Sequence, residues 1–268
     1  MPTTRYHVLA YNISHNSENK IHDDEVAKKF GFSGGLVPGV DVYAYMMHAA
    51  VGRWGRAFLE HGHATCRFMK PVYDGDIAEI SGDDSANDTA LRVDSKGQHC
   101  ASGDANLPDP APVAPALIAY QAATPVAMDA RPPAIVANIP VGGWFSPNPL
   151  EVTAEYATTY LKDIRERDAL YTSEGIVHPG IILRMCNWSL SHNVLLGPWI
   201  HVGSEVQNFS AALVGETLSA RALVKNNYEH KGHLFVDLDV LVLAAGTRPI
   251  AQVNHTAIYR PRQVAQAA

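Results

Sequence analysis

The sequence contains one pattern twice, first as Phe30-Gly-Phe-Ser-Gly-Gly-Leu-Val-Pro-Gly39 and again as Tyr171-Thr-Ser-Glu-Gly-Ile-Val-His-Pro-Gly180. An offset of 141 residues superposes the shared glycines and prolines without a gap, as Gly34 on Gly175, Pro38 on Pro179 and Gly39 on Gly180. An internal repeat of this kind indicates two copies of one structural unit. We therefore expect two related halves, each built around the segment that follows its own copy of the pattern.

An amphipathic run follows each copy, from Val40 to about Leu59 and from Ile181 to about Leu195. Each run predicts one long helix. Strand patterns come next, and residues 66–76 correspond to residues 207–216 with one residue deleted. The order of predicted elements is therefore the same in both halves.

The end of the C-terminal half has the pattern of a β-hairpin. Leu234–Val242 alternates in part between apolar and polar residues, Lys231-Gly232 marks a turn before it, and Ile250–Tyr259 is a candidate partner strand. Strands that follow a single central helix suggest an antiparallel sheet wrapped around that helix. The predicted fold class is α+β, with two such halves whose paired sheets cover their exposed edges.

A proline-rich segment separates the two halves. Residues 108–149 hold ten of the 17 prolines of the chain. Because proline fixes φ and lacks an N–H donor, this segment cannot form a long helix or a central strand. We interpret it as an extended linker between an N-terminal domain, residues 1–107, and a C-terminal domain, residues 150–268.

Composition narrows the classes of function. The net charge is −6 and no lysine or arginine cluster stands out, which argues against nucleic acid and anionic membranes as partners. Apolar runs such as Val240–Ala245 are too short to span a bilayer, and the N-terminus has no apolar signal-peptide region. Cys66, Cys100 and Cys186 are odd in number and lack metal-ligand spacing, as expected for free thiols in a cytoplasmic protein.

Four short motifs occur in order in the N-terminal half, namely Tyr11-Asn-Ile-Ser-His-Asn-Ser-Glu-Asn-Lys-Ile-His22, Gly31-Phe32, Leu36-Val-Pro-Gly39 and Pro71-Val-Tyr-Asp-Gly-Asp76. Together they resemble the signature of the MaoC-like hydratases and dehydratases, the family of the (R)-specific enoyl-CoA hydratases. This resemblance implies a tandem, or double, hot-dog fold. It also implies an enzyme that adds water to an acyl thioester or removes it.

In that family a histidine and an aspartate share the acid–base work on a water molecule. The motif places the histidine on His22 and the aspartate on Ser17, which cannot take up a proton near neutral pH as a carboxylate can. Ser17 and Asn19 can still hold a water by hydrogen bonds. The helix-start glycine falls on Gly39, whose N–H would polarise the thioester carbonyl, and the histidine that precedes it in the family falls on Pro38.

The C-terminal half departs further from the motif. At the offset of 141 residues Asp163 takes the place of His22, while Gly180 keeps the helix-start glycine and His178 lies two residues before it. Arg184 lies within the predicted helix, where a buried guanidinium would need a partner or an anionic ligand group. We assign His178, Gly180, Asp163 and Arg184 as candidate substrate-binding residues, beside His22, Ser17, Asn19 and Gly39 as candidate catalytic residues.

Five of these candidates also have a purely structural interpretation. His22 can cap the short helix that follows it, and His178 can cap the second long helix. Gly39 and Gly180 can serve only to let the backbone pack closely. Asp163 lies in a charged run that is typical of a solvated helix face.

Three functions remain open. The first is a hydro-lyase acting on an enoyl or 3-hydroxyacyl thioester, with coenzyme A as the expected carrier and no cofactor or metal ion. The second is a hot-dog thioesterase in which Asp163 or Asp41 replaces the missing pair. The third is a non-catalytic acyl-binding or partner subunit, suggested by the serine at position 17. A homodimer of double hot dogs is compatible with each of them.

Overall fold

The computed structural model of the protein describes residues 3–265. Five strands come from the N-terminal half, namely β1 (Thr3–Leu9), β2 (His63–Phe68), β3 (Ile77–Asp84), β4 (Asp88–Ser95) and β5 (Gln98–Asn106). The other six are β6 (Trp144–Phe145), β7 (Leu150–Glu151), β8 (Ile200–Asn208), β9 (Thr217–His230), β10 (His233–Ala244) and β11 (Arg248–Arg260). They form a single sheet in the order β1-β3-β4-β5-β2-β8-β11-β10-β9-β6, with β7 pairing β9. The halves therefore share one sheet, joined where β2 pairs β8 in antiparallel fashion.

Seven helices accompany this sheet in the described part of the chain, namely α1 (Asp24–Lys29), α2 (Gly39–Trp54), α3 (Arg56–His61), α4 (Ala154–Asp163), α5 (Leu170–Ser173), α6 (Pro179–Ser191) and α7 (Arg262–Ala265). The long helix α2 packs against the strands of the first half, and α6 packs against β9, β10 and β11. None of the helices within residues 3–265 is long and apolar enough to cross a membrane.

The two long helices are where the repeat predicted them, each with a sheet wrapped around it. Helix α2 is buried over most of its circumference, because apolar residues lie on every side of it. It is shorter than predicted, since Gly55 takes φ 57° and ψ −140° and separates α2 from α3. Helix α6 ends at Ser191, before the predicted Leu195.

The predicted C-terminal hairpin is confirmed. Lys231 and Gly232 connect β9 and β10 with φ values of 52° and 78°, the two positive φ angles that a type I′ turn requires. Buried and part-exposed residues alternate along most of β10. The candidate strand Ile250–Tyr259 lies inside β11, which pairs β10 along its length.

Hydrogen bonds at the start of the two long helices relate the halves by 140 residues. Val37 N donates to Val72 O at 2.9 Å, and Val177 N donates to Ala212 O at 2.8 Å. The same offset relates the two residues that face each other where the halves join, since Thr65 of β2 pairs with Glu205 of β8. An antiparallel pair that contains two equivalent residues has the symmetry of a pseudo-two-fold axis.

The repeat is therefore real, but the predicted offset of 141 residues is wrong by one at the helix starts. Gly39 corresponds to Pro179, the first residue of α6, rather than to Gly180. Pro38 corresponds to His178, and each precedes its helix as the N-cap residue. In the sequence Gly39 was aligned with Gly180 because both are glycines. The equivalent backbone hydrogen bonds of Val37 and Val177 show instead that the residues correspond at an offset of 140.

The proline-rich segment lies against the C-terminal half. Trp144–Phe145 forms β6 and pairs with β9, so this part of the predicted linker belongs to the sheet. Tyr120 packs with Leu241 and Leu243 of β10 in a small apolar cluster. Ile139 is also fully buried. Parts of residues 108–149 thus pack onto the C-terminal half, and the segment also connects the halves.

Candidate functional site

Two cavities adjoin at the start of helix α2. The first has a volume of about 240 Å³ and a largely apolar lining that includes Leu36, Val42 and Val72. The second has a volume of about 340 Å³ and a more polar lining that includes Ser17 and Arg184. Five residues line both cavities and so form their boundary, namely Asn19, His22, Pro38, Asn187 and Trp199. We call them the apolar cavity and the polar cavity.

His22 lies at this junction, at the end of a 3₁₀ turn formed by Lys20–His22. Its Nδ1 lies 2.6 Å from the carbonyl oxygen of Leu36, so Nδ1 carries the proton and donates it. The lone pair is therefore on Nε2, which lies 3.4 Å from Asn19 Nδ2. Burial lowers the pKa of His22 to about 4, which keeps the ring neutral and its Nε2 unprotonated near neutral pH.

Asn19 fixes this turn to the other half of the molecule. Its Nδ2 donates to Trp199 O at 3.0 Å, and Trp199 N donates to Asn19 Oδ1 at 3.2 Å. The same oxygen accepts the N–H of Ile21 and so caps the 3₁₀ turn. Asn19 thus holds His22 in place while its amide remains on the cavity wall.

Ser17 lines the polar cavity together with Asn19 and His22. Its hydroxyl donates to the carbonyl oxygen of Asn19 at 3.3 Å. The serine therefore supports the turn. No described carboxylate takes the place of the motif aspartate beside His22, whose recorded ring partners are Leu36 and Asn19.

Gly39 begins helix α2 on the wall of the apolar cavity. Its N–H donates to no described residue, as is usual for the first turn of a helix. A side chain at this position would collide with the site, because a Cβ on Gly39 would lie 2.9 Å from His201 Nδ1 and 3.1 Å from Phe68. The glycine leaves a free donor at the positive end of the helix dipole, next to the cavity.

The equivalent position in the other half offers no such donor. Pro179 has no N–H, and the next amide, that of Gly180, donates to His178 Nδ1 at 3.1 Å. A Cβ on Gly180 would lie 2.0 Å from the Tyr160 hydroxyl oxygen and 2.9 Å from the Ala44 side chain. Gly180 therefore lets α6 pack closely against α2 and α4. Neither Gly180 nor His178 lines the two cavities.

Arg184 lines the polar cavity, but its charge is already paired. Its Nη2 donates to both carboxylate oxygens of Asp41, at 3.2 and 3.3 Å, and its guanidinium lies over the Tyr160 ring. Tyr160 also donates its hydroxyl to Asp41 at 3.0 Å. Asp41 is fully buried, and burial raises its pKa against the opposing effect of Arg184. This pair joins α2 to α6 and removes Asp41 as a candidate base.

The predicted residues thus separate into two groups. His22, Ser17, Asn19 and Gly39 lie together on the cavity walls. Of the second set, Arg184 is the one residue that lines either of the two described cavities. Asp163 is the last residue of helix α4 and lines neither of the two cavities. In the N-terminal half a 3₁₀ turn presents His22, whereas the corresponding segment of the C-terminal half is part of α4.

The three cysteines are buried and unpaired. Burial raises the pKa of the Cys66 thiol to about 12, and it also raises the pKa of the Cys100 and Cys186 thiols. A thiol with a raised pKa is a poor nucleophile near neutral pH. The cysteines are therefore packing residues.

Two cavity residues from the C-terminal half were not predicted. Asn187 on α6 has a buried Oδ1 without a hydrogen-bond partner among the described residues. His201 on β8 is buried, lines the apolar cavity and has an Nδ1 that is likewise unpartnered within the described chain. No motif marked them, because each comes to the site only when the two halves pair.

Solved structures of similar shape identify the architecture. A protein of Chloroflexus aurantiacus J-10-fl, by name a MaoC domain dehydratase, gives a TM-score of 0.60 at 11% identity, over 97% of this chain and 95% of that chain. A conserved hypothetical protein of Mycobacterium tuberculosis, described as a double hot-dog fold, gives 0.60 at 13% identity over 96% of each chain. The fold is a double hot dog. It is the fold that the MaoC-like motifs of the sequence predicted.

The same double hot-dog fold occurs in proteins of different named activity. An oleoyl thioesterase by name, from Lactobacillus plantarum, gives a TM-score of 0.52 at 11% identity over 97% of each chain. No protein-family model and no curated protein matches the sequence. The fold therefore does not assign an activity to this chain, and any assignment has to be argued from the site itself.

Proposed function

We propose that the chain is a hydro-lyase that adds water reversibly to a 2-enoyl thioester, at one site at the start of helix α2. The observation that carries this proposal is the unprotonated Nε2 of a neutral His22 beside a helix-start N–H without a described acceptor, that of Gly39. A base and an oxyanion donor on one apolar cavity are the groups that this reaction requires.

In the proposed reaction His22 Nε2 takes a proton from a water molecule bound in the cavity. The hydroxyl adds to the β-carbon of the enoyl thioester, and negative charge develops on the thioester oxygen. The protonated His22 then returns the proton to the α-carbon, which completes the 3-hydroxyacyl thioester and restores the neutral imidazole. Dehydration follows the same steps in reverse.

The N–H of Gly39 is positioned for the oxygen on which charge develops. The dipole of α2 adds to this effect, because its positive end points at the same place. Pro179 denies the second half an equivalent donor. We therefore assign one competent site to the molecule, with the acyl chain in the apolar cavity and the carrier arm, for which we propose coenzyme A, in the polar cavity.

Thioester hydrolysis is the second candidate, and the serine at position 17 favours it. A hydratase of the MaoC-like kind uses two proton carriers, whereas a hydrolase needs only one base to activate a water for attack on the carbonyl carbon. His22 as the base and Gly39 as the oxyanion donor are sufficient for hydrolysis. The thioesterase named among the similar structures also supports this alternative.

Two substrates separate the candidates. The purified protein is incubated with crotonyl-CoA and with acetyl-CoA, while the ultraviolet absorbance of the conjugated enoyl thioester and the free thiol are both followed. A hydratase lowers the crotonyl-CoA absorbance without releasing thiol. Release of thiol from both substrates supports hydrolysis instead, and no change with either substrate contradicts both proposals.

A further inference from the structure

Three buried polar side chains form a continuous chain behind the apolar cavity. Ser204 Oγ lies 2.9 Å from His201 Nε2 and 2.9 Å from His255 Nδ1. The two imidazole rings stack with centroids 4.3 Å apart. The relative exposures of His201, Ser204 and His255 are 7%, 7% and 1%, so the chain is closed to bulk solvent except where His201 meets the cavity.

A β-bulge brings two of these residues to one side of the strand. Neighbouring residues Thr256 and Ala257 of β11 pair with Gly203 and His201 of β8, which leaves Val202 as an extra residue. In a regular strand residues three apart point to opposite faces. The bulge changes this, and His201 and Ser204 lie side by side. Bulges are frequent next to active sites, where they redirect a side chain.

The hydrogen-bond chain has a preferred direction. If His255 Nδ1–H donates to Ser204, and Ser204 donates to His201 Nε2, then His201 carries its proton on Nδ1 and presents a donor to the cavity. Either direction leaves one buried N–H without a described protein partner, on His201 Nδ1 or on His255 Nε2. An orphaned buried N–H is costly, and His201 lines the apolar cavity, where a bound ligand can accept its N–H, whereas His255 lines neither cavity. Burial also lowers the pKa of His201 well below its usual value, so the donor is a neutral imidazole.

His201 Nδ1 lies next to Gly39, since a Cβ on that glycine would be 2.9 Å away from it. We propose that His201 is a catalytic residue that donates a second hydrogen bond to the thioester oxygen, so that the oxyanion site combines Gly39 from one half with His201 from the other. Ser204 and His255 are positioning residues that fix the tautomer of His201. This inference rests on the acyl-thioester function proposed above.

A pair of ligands without the enoyl double bond tests the contact in the absence of hydration. Butyryl-CoA has the carbonyl oxygen, whereas S-butyl-CoA, the matched thioether, lacks it. Their dissociation constants are measured by calorimetry for the wild type, His201→Leu and His201→Asn, with His99→Leu as a control for a histidine outside both cavities. The carbonyl stretch of ¹³C-labelled butyryl-CoA is recorded for the same complexes, because each donor to the oxygen lowers its frequency.

The inference predicts that His201→Leu reduces the preference for thioester over thioether by roughly five- to tenfold. The bound carbonyl frequency should also move toward that of the free ligand. His201→Asn, which can place an amide N–H near the same point, should retain part of both effects, and His99→Leu should change neither. Ser204→Ala, which leaves His201 in place but frees its tautomer, should give an intermediate frequency and lower the rate of crotonyl-CoA hydration.

An unchanged preference and an unchanged frequency in His201→Leu, with both ligands still bound, overturn the role of His201 and leave the acyl-thioester function standing. If His201→Leu is poorly folded, His201→Asn and Ser204→Ala decide the matter through the same two measurements. If the effects occur but crotonyl-CoA is never hydrated, the contact is supported and hydration is wrong. If neither ligand binds the wild type, both proposals are overturned.

Discussion

Asn19 and Trp199 exchange two hydrogen bonds across the two halves of the molecule. The amide nitrogen of Asn19 donates to the carbonyl of Trp199 at 3.0 Å, and the N–H of Trp199 donates to the amide oxygen of Asn19 at 3.2 Å. One side chain thus fastens the turn that carries His22 to the segment that leads into β8. The proposed site is therefore built across the pseudo-two-fold axis, although its base and its helix-start amide both come from the N-terminal half.

Asn19→Ala should weaken both the fold and the site. The variant leaves the N–H and the carbonyl of Trp199 without their partner, and we expect the free energy of unfolding to fall by about 1–3 kcal/mol. Crotonyl-CoA hydration should fall as well, because His22 loses its support. Denaturant unfolding and initial rates are compared with Asn16→Ala, a control at an exposed position of the same loop. Equal stability of the two variants contradicts the proposed role of Asn19.

The buried pair of Asp41 and Arg184 should behave as a unit. Arg184→Met leaves the Asp41 carboxylate unpaired in a fully buried position, which we expect to cost about 3–5 kcal/mol of unfolding free energy. The double variant Asp41→Asn/Arg184→Met should be more stable than Arg184→Met alone, because it removes the uncompensated charge and keeps an acceptor for Tyr160. A double-mutant cycle by denaturant unfolding measures this coupling. Additive effects would show that the pair is not coupled.

Alanine substitutions at two glycines of the long helices should change the free energy of unfolding in opposite directions. Gly180→Ala forces a Cβ against Tyr160 and Ala44, and we expect a loss of about 1–3 kcal/mol in unfolding free energy. Gly52→Ala adds a methyl group to an exposed position inside α2 with no atom within 4 Å, and we expect a gain of about 0.5–1 kcal/mol. Thermal unfolding of both variants measures the difference. A tolerated alanine at position 180 contradicts the close packing of α6.

The buried His255 should make the free energy of unfolding depend on pH. Burial lowers its pKa to about 3, so it remains neutral in the folded state while it binds a proton in the unfolded state below a pKa of 6.5. The stability that His255 contributes is thus complete above pH 6.5 and is lost as pH falls toward 3. In this window His255→Gln should reduce the slope of unfolding free energy against pH by up to about 1.4 kcal/mol per pH unit.

Denaturant unfolding of the wild type and His255→Gln between about pH 6 and pH 4 gives these slopes. Asn254→Ala, a change at the neighbouring exposed position, serves as the control and should keep the wild-type slope. Parallel curves for the wild type and His255→Gln would mean that His255 is protonated in the folded protein.

Much of the fold could be predicted from local sequence patterns. The glycines and prolines before each long helix, the apolar helices and the Lys231-Gly232 turn depend on neighbouring residues, and each was found. The offset between the halves was wrong by one residue because Gly180 was matched to Gly39. Gly180 is a glycine for packing against Tyr160, a reason that only the tertiary structure provides.

The site was harder to predict in the C-terminal half. The motif pointed to His22 and Gly39, which both line the apolar cavity, because their spacing in sequence reflects one local turn and one helix start. His201 reaches the same cavity through the pairing of two distant strands and a bulge at Val202. Regular alternation of side chains would place His201 and Ser204 on opposite faces of β8. The periodicity of a strand therefore does not predict that the two residues lie side by side.

The proposed role of His22 as the base is tested by comparing crotonyl-CoA hydration by the wild type and by His22→Gln. His99→Gln serves as a control for a histidine outside both cavities. We expect the wild type and His99→Gln to form 3-hydroxybutyryl-CoA at similar rates, and His22→Gln to remain folded but to be slower by about 10²–10⁴. A His22→Gln enzyme as fast as the wild type would contradict the role of His22, and a wild type that leaves crotonyl-CoA unchanged would contradict the hydratase function.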